Sequence, residues 1–182
     1  YSCGAVEDAL RDIVGVQFRN GATLGGSLWR RMGFSDVVAI FLAMDSSVEL
    51  FKGGVVPLEE FVRMPYDNDI LVRLIVKKRP GAFAYQAVRK QRTDLPTLNC
   101  AAAKVGEEYR VVVGSRPARA MLLRDERGIL ADGITEESAA AFADYAAGAV
   151  PVSGNMWGSA EYRRALVPVL VRRTLLALGE VR

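Results

Sequence analysis

Residues 77–81 read Lys-Lys-Arg-Pro-Gly, a charged segment rich in backbone breakers that limits the possible folds more than any other stretch. It predicts a boundary between a first domain over 1–78 and a second over 79–182. Beyond it lie three strand-like runs, FAYQAV (83–88), PTLNCAAAKV (96–105) and YRVVVGS (109–115). The Gly106-Glu107-Glu108 turn predicts a hairpin between the last two. Two helical stretches follow. Thr135 is placed to cap EESAAAFADYAAGAV, with Glu136 and Glu137 in the first turn. Ser159 is placed to cap AEYRRALVPVLVRRTLLAL, which is expected to kink at Pro168 and end at Gly179. Strands followed by helices are an α+β signature.

Before the boundary the pattern is mixed. Residues 5–14 carry helical spacing, with Ala5, Ala9, Leu10 and Ile13 on one side. GVQFRNGATLGGSL reads as a glycine-rich turn region. Ser35 and Asp36 then open VVAIFLAM, a helix apolar on every side and hence expected inside the domain. SVELF (47–51) alternates like a strand, Lys52-Gly53-Gly54 is a turn, and LEEFV is a short helix or turn. ILVRLIV (70–76) reads as a mostly buried strand.

Composition removes whole classes of chemistry. The chain of 182 residues has no histidine, which excludes Ser-His-Asp and Cys-His catalysis and His-ligated zinc or haem within it. Cys3 and Cys100 are too few for an iron–sulfur cluster or a four-cysteine zinc site, and read as reduced thiols of a cytoplasmic protein. The balance of 24 Lys+Arg against 21 Asp+Glu gives a net charge of +3, with no clustered stripe of the kind a nucleic-acid binder needs. No apolar run is long enough to span a membrane. Tyr1-Ser2-Cys3-Gly4 has neither an initiator Met nor a signal-peptide pattern, so the chain is expected to be a piece of a longer one.

The residues with most chemical promise are Asn20-Gly21-Ala22-Thr23-Leu24-Gly25-Gly26-Ser27. Adjacent glycines let a backbone approach a bulky anion, and a hydroxyl at Thr23 or Ser27 can donate to a phosphate oxygen. The spacing is neither a Walker A loop nor G-x-G-x-x-G, and a plain turn is the more ordinary reading of a glycine pair. Asp36 is read as a helix-start acid, or as a carboxylate accepting from ligand hydroxyls. Lys77, Lys78, Arg79, Arg89, Lys90 and Arg92 form a basic run with no acid among them, read first as a solvated face and otherwise as a surface that attracts an anionic cofactor or an acidic partner. Arg163-Arg164 and Arg172-Arg173, nine residues apart, are read as the wet stripe of an amphipathic helix. Cys100, in an apolar strand, is expected to be inert.

Taken together, these segments resemble the flavoprotein subunit of molybdenum hydroxylases, the xanthine dehydrogenase and carbon monoxide dehydrogenase medium-subunit family. FRNGATLGGSL (18–28) is similar to the family's I-R-N-x-A-T-x-G-G-N segment, and SDVVAIFLAMDSSVEL (35–50) to its S-D-x-x-x-x-L-x-A-L-x-A stretch. ILVRLIV and FAYQAVRKQRTDLPTLNCAAA (83–103) resemble its flavin-flanking strands, and GSAEYRRALVPVLVRR (158–173) its S-A-E-Y-R-R helix.

The resemblance implies an α+β fold: the second part of a p-cresol methylhydroxylase-type FAD-binding domain, then a three-stranded antiparallel sheet with helices. It implies FAD as cofactor and a role in electron transfer. Electrons would pass from two-iron clusters on a small subunit, through FAD, to an acceptor such as NAD. Substrate would be oxidised at molybdopterin on a large subunit. By position, Ala22, Thr23, Leu24, Gly25, Gly26 and Ser27 would hold the FAD pyrophosphate, and Asp36 would face the ribityl–isoalloxazine region. Leu71 would pack on the isoalloxazine, and Gln86 would stand where relatives often carry a flavin-side Lys. Ser27 replaces the usual Asn. The family's first phosphate loop, of A-G-G-T type, has no counterpart here, so the piece alone is expected to hold FAD weakly or not at all and to expose apolar surface that favours homo-oligomers. An alternative reading is a non-catalytic docking module that holds no cofactor.

Overall fold

The computed structural model describes residues 1–115 and 118–181. The first helix, α1 (Ala5–Arg11), buries Ala5 and Ala9, one turn apart on a single face. The expected turn region is instead two short helices, α2 (Val16–Gly21) and α3 (Leu24–Trp29). α3 forms despite its paired glycines because the Thr23 hydroxyl accepts the Gly26 N–H at 3.0 Å. α4 (Asp36–Ala43) starts at Ser35, whose Oγ accepts the Val38 N–H at 3.3 Å, and all eight of its residues are buried.

β1 (Ser47–Leu50) lies between β2 (Gly54–Pro57) and β3 (Leu71–Ile75) in a three-stranded antiparallel sheet, with the short α5 (Leu58–Phe61) following β2. The structure corrects the expectation for ILVRLIV. β3 is an edge strand paired only with β1, so just some of its side chains, Leu71 and Leu74 among them, reach the core. Ile70 is 66% exposed and Val72 51%.

The second sheet runs in the order β4-β5-β6-β7, all antiparallel: β4 (Gly81–Val88), β5 (Leu98–Val105), β6 (Glu108–Ser115) and β7 (Met121–Arg124). The three expected strands are there, and β7 extends the sheet by a fourth, too short to carry a pattern of its own. Val105 pairs with Glu108 across the predicted hairpin, whose Gly106 takes φ +61°. Thr135 and Ser138 cap α6 (Glu136–Ala149) reciprocally. Ser159 caps α7 (Ala160–Glu180), which continues through Pro168 and past Gly179.

The second sheet is covered on both faces. Phe83, Tyr85, Ala101, Ala103 and Val112 pack with α4 and the first half of the chain. Ala84, Cys100, Ala102, Val111 and Val113 pack with Phe142, Leu170 and Leu175 of α6 and α7. Double coverage explains why β5 is an almost unbroken apolar run rather than an alternating one. The two hydrophobic clusters therefore divide along the faces of this sheet, and the first draws residues from both sides of Lys77–Gly81. Arg110 on β6 completes the join: its Nε and Nη2 donate to the Ala43 and Leu42 carbonyls, each at 3.1 Å, satisfying the C-terminal end of α4. Among the described residues, no helix is long and apolar enough to cross a membrane.

Candidate functional site

Thr23 is bound at one lone pair by the Gly26 N–H, which leaves its own O–H free to donate. The N–H groups of Leu24 and Gly25 open α3 without an intrahelical acceptor. A Cβ placed on Gly26 would stand 3.1 Å from Thr23 Oγ1, and one on Gly25 would stand 3.8 Å from Leu71 Cδ2. The fold thus sets the paired glycines beside the β3 residue Leu71, which is distant in sequence. Ala22 ends α2, its N–H bound to the Phe18 carbonyl at 2.9 Å.

Ser27 and Asp36 line a cavity of about 300 Å³ together with Val14, Phe18, Arg30 and Leu95. Asp36 is only 5% exposed. Its Oδ1 accepts a short hydrogen bond from the Tyr85 hydroxyl and another from Arg89 Nη2 at 2.6 Å. Burial pushes its carboxyl above the ordinary value, while Tyr85 and Arg89 pull in the opposite direction. Burial, then the Asp36 charge, raises the Tyr85 phenol well above its usual range. The carboxylate is therefore a paired group, and its place in the first turn of α4 also suits the helix dipole.

Leu71 and Gln86 do not line this cavity. Gln86 follows Tyr85 on β4, so the two side chains take opposite faces of the strand. It lines a second, more polar cavity of about 510 Å³ with Asp8, Arg11, Asp12, Arg89 and Arg92.

The structure corrects two readings of the arginines. The basic run is not simply solvated: Arg79 pairs with Asp45, Arg89 with Asp36, and Arg92 with Asp12 at 2.9 Å. Arg163 is not on the wet stripe of α7. It is 0% exposed and donates to the carbonyls of Thr97, Ser153 and Gly158 and to Asn155 Oδ1. Nine residues at about 100° each bring a side chain to the opposite side of a helix, so Arg163 faces in while Arg172 faces out and pairs with Glu136. The sequence names Arg89 only within a basic run and does not single out Tyr85, so neither is read from it as a partner of Asp36. The alternation of FAYQAV, which puts Tyr85 on one face with Phe83, was the available signal. Cys100 is fully buried and its thiol is pushed up to about 12 by burial, in keeping with an inert role. Among the described residues no group of three or more potential ligands is placed to hold a metal ion.

Comparison with known proteins covers most of the chain. Residues 2–78 match the family described as the FAD binding domain in molybdopterin dehydrogenase, and residues 83–178 match the CO dehydrogenase flavoprotein C-terminal domain. The nicotine 6-hydroxylase medium subunit of Paenarthrobacter nicotinovorans is 26% identical over 183 residues, spanning 93% of this chain and 65% of that one. The uncharacterized protein YgfM of Escherichia coli K12 is 24% identical, spanning 92% of this chain and 62% of that one. The chain thus covers slightly less than two thirds of the length of these relatives. Among solved structures, carbon monoxide dehydrogenase from Hydrogenophaga pseudoflava shares the fold with a TM-score of 0.81 at 23% identity, covering 96% of this chain and 66% of that one. Quinoline 2-oxidoreductase from Pseudomonas putida 86 does so with a TM-score of 0.81 at 20% identity, covering 95% and 66%. With both halves matched in order, the chain belongs to the family of FAD-binding medium subunits of molybdenum hydroxylases.

Proposed function

We propose that this chain binds FAD and relays electrons within a molybdopterin-dependent oxidoreductase of the xanthine dehydrogenase and carbon monoxide dehydrogenase type. In this reading its partners are a small subunit with two-iron clusters, which delivers electrons, and a large molybdopterin subunit, where substrate is oxidised. An acceptor such as NAD takes the electrons onward. Bound FAD supplies the redox chemistry, and the protein holds and orients it.

The observation that carries the reading is the corner made by Thr23, Gly25, Gly26 and Leu71. What supports a phosphate there is that two side-chain-free residues, a hydroxyl free to donate, and helix-start N–H groups without intrahelical acceptors meet at one place. Leu71, beside Gly25, offers an apolar surface to a flat ring. Ala22 to Ser27 would hold the pyrophosphate, Asp36 would face the ribityl–isoalloxazine region, and Leu71 would pack on the ring. Gln86 would offer an amide where an ammonium would stabilise anionic reduced flavin more strongly. The thiols, Cys3 exposed and Cys100 buried, are unpaired and suit a reducing cytoplasm.

Gly25→Val is the test. Its Cβ makes only ordinary contact with Leu71, while the added branches occupy the space above the loop. The expected outcome is loss of flavin absorbance from the purified protein at unchanged far-ultraviolet circular dichroism. Full flavin content at equal folding would remove the phosphate role from this loop.

A further inference from the structure

The cavity lined by Ser27 and Asp36 is walled by apolar Val14, Phe18 and Leu95, and its carboxylate is nine-tenths buried. A buried carboxylate needs donors. Here both come from β4 and the residue just beyond it: the Tyr85 hydroxyl and the Arg89 guanidinium both reach Oδ1. Both donors are themselves buried or nearly so, Arg89 with 8% of its side chain exposed. Arg89 Nη1 also donates to the Asp94 carbonyl at 2.7 Å, next to the wall residue Leu95. One cluster therefore joins the start of α4, the strand β4 and the loop that forms the cavity rim.

We propose that Tyr85 is a positioning residue of the ligand site, fixing the orientation and the charge of the Asp36 carboxylate so that it accepts hydrogen bonds from ligand hydroxyls. This rests on the FAD reading above, and it adds a residue that does not itself touch the ligand. With its donors in place, the carboxylate has its lone pairs directed and its charge compensated by Arg89. Without the Tyr85 hydroxyl, burial is opposed by fewer donors and the carboxyl takes up a proton more readily. A protonated carboxyl presents fewer acceptor sites to a polyol. The groups facing Asp36 are Tyr85 and Arg89 from the β4 side and Asn99 from β5, and Arg30 shares the cavity lining.

The experiment is FAD titration of the full chain, followed by flavin fluorescence, from about pH 5 to about pH 8. It is run on the wild type, on Tyr85→Phe, which keeps the ring and its packing, and on Asp36→Asn, which cannot titrate. The expected wild-type Kd depends on pH less steeply than that of Tyr85→Phe. The expected Tyr85→Phe Kd is weaker than the wild type at every pH, through lost orientation, and weakens about a further tenfold toward the acid end. Asp36→Asn is expected to be weak and flat with pH. A Tyr85→Phe profile that superimposes on the wild type, or a weakening that is the same at every pH, would overturn the proposal. A wild type that takes up no FAD at any pH, even when joined to the further segments that its longer relatives carry, would bring down the FAD reading first, and this one with it.

Discussion

A methyl group added at Gly33 would lie 1.7 Å from the Ala118 carbonyl oxygen, and one at Gly114 would lie 2.2 Å from Asn99 Oδ1. No side chain fits at either position without moving backbone or a buried amide. Gly33→Ala is therefore expected to cost about 3 kcal/mol, at the upper end of overpacking effects, read as a drop in the urea midpoint. A loss below about 1 kcal/mol would mean that the neighbouring loop yields freely. Arg31 illustrates another demand met by single residues. Its guanidinium is buried over the rings of Phe61, Tyr66 and Trp29, 4.0, 4.8 and 5.0 Å from their centroids, and burial holds its pKa below the ordinary value. The glycines at 25 and 26 were legible as special because two adjacent glycines draw notice. Those at 33 and 114 were not, because nothing in a sequence says which backbone will pass within van der Waals contact.

Helix caps and periodicities were the most legible elements. Ser35, Thr135 and Ser159 each cap the helix expected of them, because a cap is a local hydrogen bond over three residues. α2 and α3 were not foreseen, since glycine-rich segments carry low helix propensity and the Thr23 cap outweighs it only in place. Arg163 shows how a motif can be noticed and still misjudged. On the inner side of α7 its fork spans the carbonyls of Thr97 at 3.2 Å, Gly158 at 3.0 Å and Ser153 at 2.5 Å, with Asn155 Oδ1 at 2.8 Å. It pins residues 153–158, which carry the isolated Asn155–Gly158 bridge, against the start of β5. A lysine cannot reach four acceptors with one ammonium. Arg163→Lys is expected to cost about 3 kcal/mol and to bring early proteolytic cleavage near the exposed Met156. Cleavage at the wild-type rate would show that the loop is held by something other than this fork.

At the scale of the whole molecule, the join between the two halves has a direction. Arg89, Arg92, Arg110, Arg119 and Arg124 come from beyond the Lys77–Gly81 segment, and each reaches a carboxylate or carbonyl of the first half: Asp36, Asp12, Ala43, Val62 and Glu59. The basic run that had no acids among its members finds them across this join. The Glu59–Arg124 pair is bidentate, at 3.1 and 2.5 Å, and Arg124 holds the Glu59 carboxyl below its ordinary 4.5. A depressed folded-state pKa contributes stability that is present above 4.5 and lost as pH falls below it. Asp36 has the opposite sign, because burial raises its pKa, so it does not add to acid unfolding. Glu59→Gln is expected to lower stability by about 1 kcal/mol at neutral pH, allowing for the partial exposure of the pair, and to flatten the acid limb of the stability profile. Denaturant unfolding at neutral and acid pH measures both, and an unchanged acid limb would place its origin elsewhere.

The α+β class, the second-half strands β4 to β6, the long helices with their N-caps, the buried α4 and the family are all legible without the fold, because each is written in local patterns or ordered motifs. Tertiary structure alone decided that the second sheet is covered on both faces, that Gly25 meets Leu71, that Tyr85 and Arg89 enclose Asp36, and that Arg163 points inward. These are contacts between residues far apart in the chain, and the partner of a side chain is set by which faces pack together. A charge pattern can show that a cation is present. Only the packing shows which carboxylate, at what depth of burial, it was placed there to meet.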